Sequence, residues 1–93
     1  MIIRAAAGQA EFRSEKMGKV TLAAGQHLYA GLNCFLPGQE HKAHVHADQD
    51  KLYLVLSGTG EAEVGESKET VSAGDLILAA AGVSHGLKNT SSE

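Results

Sequence analysis

Residues 38 to 58 read GQEHKAHVHADQDKLYLVLSG, and the reading of this stretch decides the fold. His44 and His46 lie two apart. On an extended strand, residues two apart project from the same face. The run AHVHA is therefore expected to be a strand that points both imidazoles one way. In KLYLVL, the same parity puts Lys51, Tyr53 and Val55 on one face and Leu52, Leu54 and Leu56 on the other. That segment is apolar on both sides, so neither face is expected to meet water. The three leucines should lie under another sheet, that of a second subunit, or else pack under this chain's own N-terminal segment.

Further out, the chain keeps the same rhythm. KVTLAA, HLYAGLNCFL, GEAEVG, ETVSA and DLILAAAG are short apolar runs, separated by PGQE, ADQD, SGTG, GES and SAGD. Many short strands with glycine-rich turns indicate an all-β sandwich or barrel. The 11 glycines fit, because tight turns need residues that tolerate positive φ. Pro37 begins a turn and stops the strand before it. SEKMGK reads as a loop.

The 93 residues make one small domain, spanning 1–93, with no room for a second core. Domains of this size often gain stability from a metal or a partner chain. A net charge of −3 with scattered Lys and Arg argues against nucleic acid, which needs a basic stripe. The opening MIIRAAAGQAEF holds no apolar run of signal-peptide length, and a membrane helix is not expected, so the reading is a cytoplasmic protein. With one cysteine no intrachain disulfide can form, and Cys34, in an apolar strand, is expected to be a buried small hydrophobe.

The histidines carry the chemistry. There are five: His27, His41, His44, His46 and His85. Two imidazoles on one strand face can chelate a divalent ion at about 2.0–2.1 Å per bond, but a third ligand from elsewhere must close the site. Here the sequence resembles a family. Residues 38–58 resemble the first cupin motif, G-x5-H-x-H-x(3,4)-E-x6-G, with Gly38, His44, His46 and Gly58 on the pattern. Residues 74–89, GDLILAAAGVSHGLKN, resemble the second motif, G-x5-P-x-G-x2-H-x3-N, with Gly74, Gly82, His85 and Asn89 on it. The resemblance implies a small jelly-roll barrel, the cupin double-stranded β-helix, with one divalent transition metal (Zn, Ni, Fe, Cu or Mn) held by His44, His46 and His85. It assigns nothing to His27 or His41, which are read as ordinary surface or hydrogen-bonded residues. Asn89, Asp75 and the motif glycines read as structural.

There are two departures from the motifs. Ala80 stands where the second motif has proline. More important, the glutamate of the first motif is Lys51, and Asp50 is one residue off, which on a strand means the opposite face. Asp50 becomes a ligand only if a bulge rotates it inward. An ammonium about 4 Å from a divalent ion at an effective dielectric of about 20 is disfavoured by about 8 kcal/mol. Lys51 is therefore expected to extend along its stem, with its charge at the pocket mouth or against Glu40, Asp48 or Asp50. The alternatives are a neutral, reactive amine, or an ammonium that replaces the metal.

Proteins resembling this one include dioxygenases, isomerases, decarboxylases and ligand-binding modules, and fold alone does not choose among them. The leading expectation is a metal-dependent enzyme of oxygenase or isomerase type on a small anionic organic substrate. Lys51 would orient the anion and Tyr53 would donate a proton or hydrogen bond as the catalytic pair. A non-catalytic small-molecule sensor, metal-free through Lys51, is the second reading, and a bare interaction scaffold is the third. Such barrels usually continue into another strand after the motif asparagine. Closure by an N-terminal segment exchanged with a partner is therefore expected, and with it a homodimer.

Overall fold

The computed structural model describes residues 1–92 and is built from strands alone, apart from one short 3₁₀ turn at Ala6–Gln9. The strands are β1 (Gly18–Ala24), β2 (Tyr29–Cys34), β3 (Glu40–His44), β4 (Lys51–Leu54), β5 (Thr59–Val64), β6 (Ser67–Ser72), β7 (Leu76–Ala79) and β8 (His85–Lys88). Their pairing is nested. The β5–β6 hairpin lies inside the antiparallel pair β4–β7, which lies inside the antiparallel pair β3–β8. This is one long ribbon folded over on itself, the jelly-roll arrangement. β8 also pairs with β5, giving a four-stranded sheet in the order β3-β8-β5-β6, while β1–β2 and β4–β7 are two-stranded.

The turns that fold the ribbon need particular backbone. Gly82 has φ +82°, a conformation that L side chains rarely adopt. Its amide donates to the His46 carbonyl at 2.8 Å, which ties the loop after β3 to the turn before β8. The Asp75 carboxylate accepts from the Ser72 amide at 2.7 Å, and Asn89 donates from Nδ2 to the Phe35 carbonyl at 2.9 Å. Both are structural, as the motif reading has them. Gln39 links the N-terminal segment to the turn after β2: its Nε2 donates to the Arg13 carbonyl and its Oε1 accepts from the Leu36 amide.

The interior is small: its buried apolar residues are Met17, Cys34, Ala62, Ile77 and Ala79. Cys34 sits there as a small hydrophobe. The β4–β7 ribbon shows how the pleat sorts residues. Tyr53 pairs with Ile77 and Lys51 with Ala79 on the inner face, while Leu52 pairs with Leu78 and Leu54 with Leu76 on the outer face.

Two strand readings change. The strand expected over AHVHA ends at His44, so His46 lies in the following loop and not on the strand. The outer leucines, expected to be covered, are open within this chain: Leu52 is 61% and Leu54 57% exposed. Among the described residues, the β4–β7 pair has no third strand or sheet over that face, and the N-terminal segment does not shield it.

A candidate three-histidine metal centre

His85 lies at the start of β8, paired with His44 of β3 on one side and Val64 of β5 on the other. A central strand is covered on both edges, and His85 is only 2% exposed. The loop position of His46 does not remove it from the site, because the Gly82–His46 backbone bond brings it back to the β7–β8 turn. The His44 and His46 ring centroids are 4.9 Å apart, and those of His44 and His85 4.3 Å. The ligand atoms of His44, His46 and His85 all lie within 4.8 Å of one another.

The tautomers of two of these rings follow from their neighbours. His44 Nδ1 lies 2.9 Å from the Lys42 carbonyl, and His85 Nδ1 lies 3.1 Å from the Val83 carbonyl. A carbonyl only accepts, so each Nδ1 donates and each neutral ring keeps a free lone pair on Nε2. Both Nε2 atoms are buried without a hydrogen-bond partner. Among the described residues, the other buried side-chain polar atoms left in this way are His41 Nδ1 and the Tyr53 hydroxyl. An unsatisfied buried polar group costs about 1–3 kcal/mol. Orphan lone pairs converging from two fixed rings therefore indicate a ligand, and three imidazoles suit a borderline-soft divalent ion. Two ligands on one ion stand at most about 4.2 Å apart, so the three rings must draw in slightly to close on it.

His41, read from the sequence as an ordinary surface or hydrogen-bonded residue, lies against His44 instead. Three positions from His44, it should face away on a regular strand. The register shows otherwise: His41 pairs with Leu87 and His44 with His85, three steps on β3 against two on β8. The extra residue is a bulge, which turns His41 to the face of His44, with ring centroids 4.3 Å apart. Gly86 sits against it: a Cβ there would come within 2.9 Å of the Ala43 nitrogen and the His41 carbonyl. A glycine directly after the motif histidine was the available signal. Burial first, then His44, Lys19, Lys51 and His85, lower the His41 pKa to about 4, so it is neutral near pH 7. His27 lies exposed in the bend between β1 and β2, away from this cluster.

Lys51 and Tyr53 enter from β4. Ala79, fully buried opposite Lys51, leaves room for its stem. The Lys51 ammonium lies 5.3 Å from the Tyr53 ring centroid, within the range of a cation–π contact. The Tyr53 ring is 6.0 Å from that of His85. Burial pushes the Tyr53 phenol up to about 12, which keeps its proton in place at neutral pH. The Lys51 pKa is lowered, by burial first and then by Lys19, with Tyr29 opposing; Glu40, Asp48 and Asp50 are not among the charges acting on it. The expected ion pair with those acids is therefore not formed. Asp50 instead accepts from the Ala81 amide at 2.8 Å, bracing the turn before β8. Desolvation and then His44, Lys51 and His85 lower the His46 pKa, against Asp48. An open groove of about 750 Å³ is lined by residues that include Phe12, Leu54, Leu56, Val71 and Tyr53 and by none of the histidines.

A family model for the cupin domain matches residues 31–93, which span both histidine motifs. The chain belongs to the cupin domain family. This cupin is 34% identical to the TT1209 protein of Thermus thermophilus, with a TM-score of 0.95 over 100% of this chain and 89% of that one. A conserved protein with a double-stranded β-helix domain from Klebsiella pneumoniae is 23% identical, with a TM-score of 0.91 over 100% of this chain and 82% of its own. An RmlC-like cupin from Desulfovibrio desulfuricans is 20% identical, with a TM-score of 0.86 over 98% of this chain and 88% of its own. The last two likenesses speak to the fold. No functionally curated protein matches the chain. Among the described residues, no helix is long and apolar enough to cross a membrane.

Proposed function

We propose that this cupin binds one divalent transition metal through His44, His46 and His85 and acts as a metal-dependent enzyme, of oxygenase or isomerase type, on a small anionic organic substrate. The observation that carries the reading is the pair of fixed, buried, unpartnered Nε2 lone pairs on His44 and His85, with His46 beside them. An ion held by neutral imidazoles alone keeps its full charge and supplies a strong Lewis acid when bound. Lys51 holds a substrate carboxylate or enolate beside the centre, and Tyr53, protonated and unpartnered, donates a hydrogen bond to it. The protein is further read as a cytoplasmic homodimer.

Elemental analysis of protein purified without chelator, beside His44→Ala/His46→Ala and Lys51→Glu variants, is the test. About one equivalent in the wild type, lost in the double alanine variant, is expected. Metal bound equally by the double variant defeats the ligand assignment. A panel of enolisable acids, screened with the bound ion and with iron, nickel, copper and manganese, then tests the activity. The absence of a carboxylate among the charges acting on Lys51 favours one other reading, a metal-free anion sensor. It is the outcome if metal appears only in Lys51→Glu and no acid is turned over.

A further inference from the structure

Two strands each leave one edge open. Among the described residues, β4 pairs with β7 alone and β2 with β1 alone. The groove that Tyr53 borders is lined by residues 31–35, from β2 and its end, and by residues 52–56, from β4 and its end. Successive side chains on a strand point to opposite faces, so a groove that touches every residue in turn runs along the strand's edge. It lies between the two open edges. The backbone agrees. The Val55 amide donates to the Asp75 carbonyl at 2.9 Å, and the Val55 carbonyl accepts from the Gly74 amide at 2.8 Å. Backbone groups of adjacent residues in a ladder point to opposite sides, so Leu52 and Leu54 aim theirs away from β7 and toward the groove. Such an edge is a template for another strand.

The start of the chain is an apolar segment poorly housed in its own fold. Residues 1–4 carry no secondary structure, and Met1 is 97% and Ile2 76% exposed. Ile2, Ile3 and Arg4 border a shallow hollow with Val20, Thr21 and Leu22, again three successive residues. By the same reasoning they run along the edge of β1, on the far side of the β1–β2 ribbon from the groove. The segment is turned there by Ala5, whose φ of +49° is left-handed. A residue with a Cβ is disfavoured in that conformation, and an extended Ala5 frees the segment. Four extended residues span about 13 Å, which matches the edge offered by residues 52–55. Alternation puts Ile2 on one face and Ile3 on the other. One isoleucine then meets Tyr53 and Ile77 inside, and the other meets the outer leucines. To fill the groove of its own chain the segment must recross the ribbon, whereas a second copy brings its segment from outside.

We propose that residues 1–4 of a second copy of this chain lie as a strand in the groove between β2 and β4, and that the exchange is mutual, with Ala5 as its hinge. The inference rests on the homodimer reading above and names the contact. Each copy closes the other's sheet beside Tyr53, and the two exchanged strands are related by the dimer two-fold.

Sedimentation velocity and residue-resolved amide hydrogen exchange on the full chain test it, in wild type, Ile2→Asp/Ile3→Asp and Ala5→Gly. The wild type is expected to be a dimer in which the Leu52 and Leu54 amides exchange slowly. Ile2→Asp/Ile3→Asp should weaken the dimer at least about 100-fold and speed those two amides at least about tenfold. Both isoleucines are exposed, so the substitution leaves each chain folded. Ala5→Gly, which accepts positive φ without strain, should favour the folded-back segment and weaken the dimer about fivefold or more. A wild type that is monomeric at every concentration defeats the homodimer and the exchange together, and slow Leu52 and Leu54 amides in that monomer would assign the groove to the chain's own segment. A dimer whose Leu52 and Leu54 amides exchange freely, or one that survives Ile2→Asp/Ile3→Asp, overturns the exchange and leaves the homodimer standing. An unchanged dimer affinity in Ala5→Gly removes Ala5 as the hinge.

Discussion

The two faces of the β4–β7 ribbon share a backbone and differ in everything else. Inward, Lys51, Tyr53, Ile77 and Ala79 meet the histidines and the small core. Outward, Leu52, Leu54, Leu76 and Leu78 form two facing leucine pairs that are more than half exposed. Each inner residue is a sequence neighbour of an outer one, so the alternation of the pleat alone separates chemistry from surface. In the proposed homodimer, an exposed aliphatic patch of this kind is the natural surface for a second copy.

The sharpest way to break the comparison is to charge the outer face. If the leucines form the subunit contact, Leu54→Glu/Leu78→Glu should convert a dimer to a monomer in sedimentation velocity, with affinity weakened at least about 100-fold. A wild type that stays monomeric at every concentration removes the homodimer and leaves the leucine face without that role. Truncation on the two faces should then differ in size. Ile77→Ala, at 8% exposure, is expected to cost about 2–4 kcal/mol in urea unfolding. Leu78→Ala, at 60% exposure, should cost under about 1 kcal/mol when measured on the monomeric background.

A smaller effect belongs to the inner face and to pH. The His41 pKa is about 4 in the folded chain against 6.5 for an unperturbed imidazole. The unfolded chain therefore takes up the proton first, and the associated stability is present above about pH 6.5 and lost progressively as pH falls toward 4. His41→Gln should flatten that part of a melting-temperature profile between pH 7 and 4, and an unaltered slope would remove His41 from the buried cluster. The smallest change expected is Tyr53→Phe in metal-free protein. Removing a buried hydroxyl that has no partner should leave stability within about 1 kcal/mol of wild type or raise it. A larger loss would mean that the hydroxyl is hydrogen-bonded.

Much of the architecture was legible because it depends on local rules. Short apolar runs and glycine turns specify strands whatever their partners, and Gly38, Gly58, Gly74 and Gly82 all have positive φ, as the motifs require. The alternation in KLYLVL put Lys51 and Tyr53 on one face and the leucines on the other, and both faces are found so. What parity could not supply were the places where the strand is interrupted. His46 left its strand and still reached the cluster, because the Gly82 amide bonds its carbonyl from another turn. His41 turned inward because β3 carries one residue more than β8 between the same two partners.

The sequence by itself thus determined the all-β ribbon, the family and the identity of the motif histidines, since these are set by residue type and short spacing. The tertiary structure alone decided two further points: that His41 turns to the face of His44, and that the β4–β7 leucines stand open within one chain. Each depends on which strands meet and in what register, a property of pairs of distant segments that no single segment encodes.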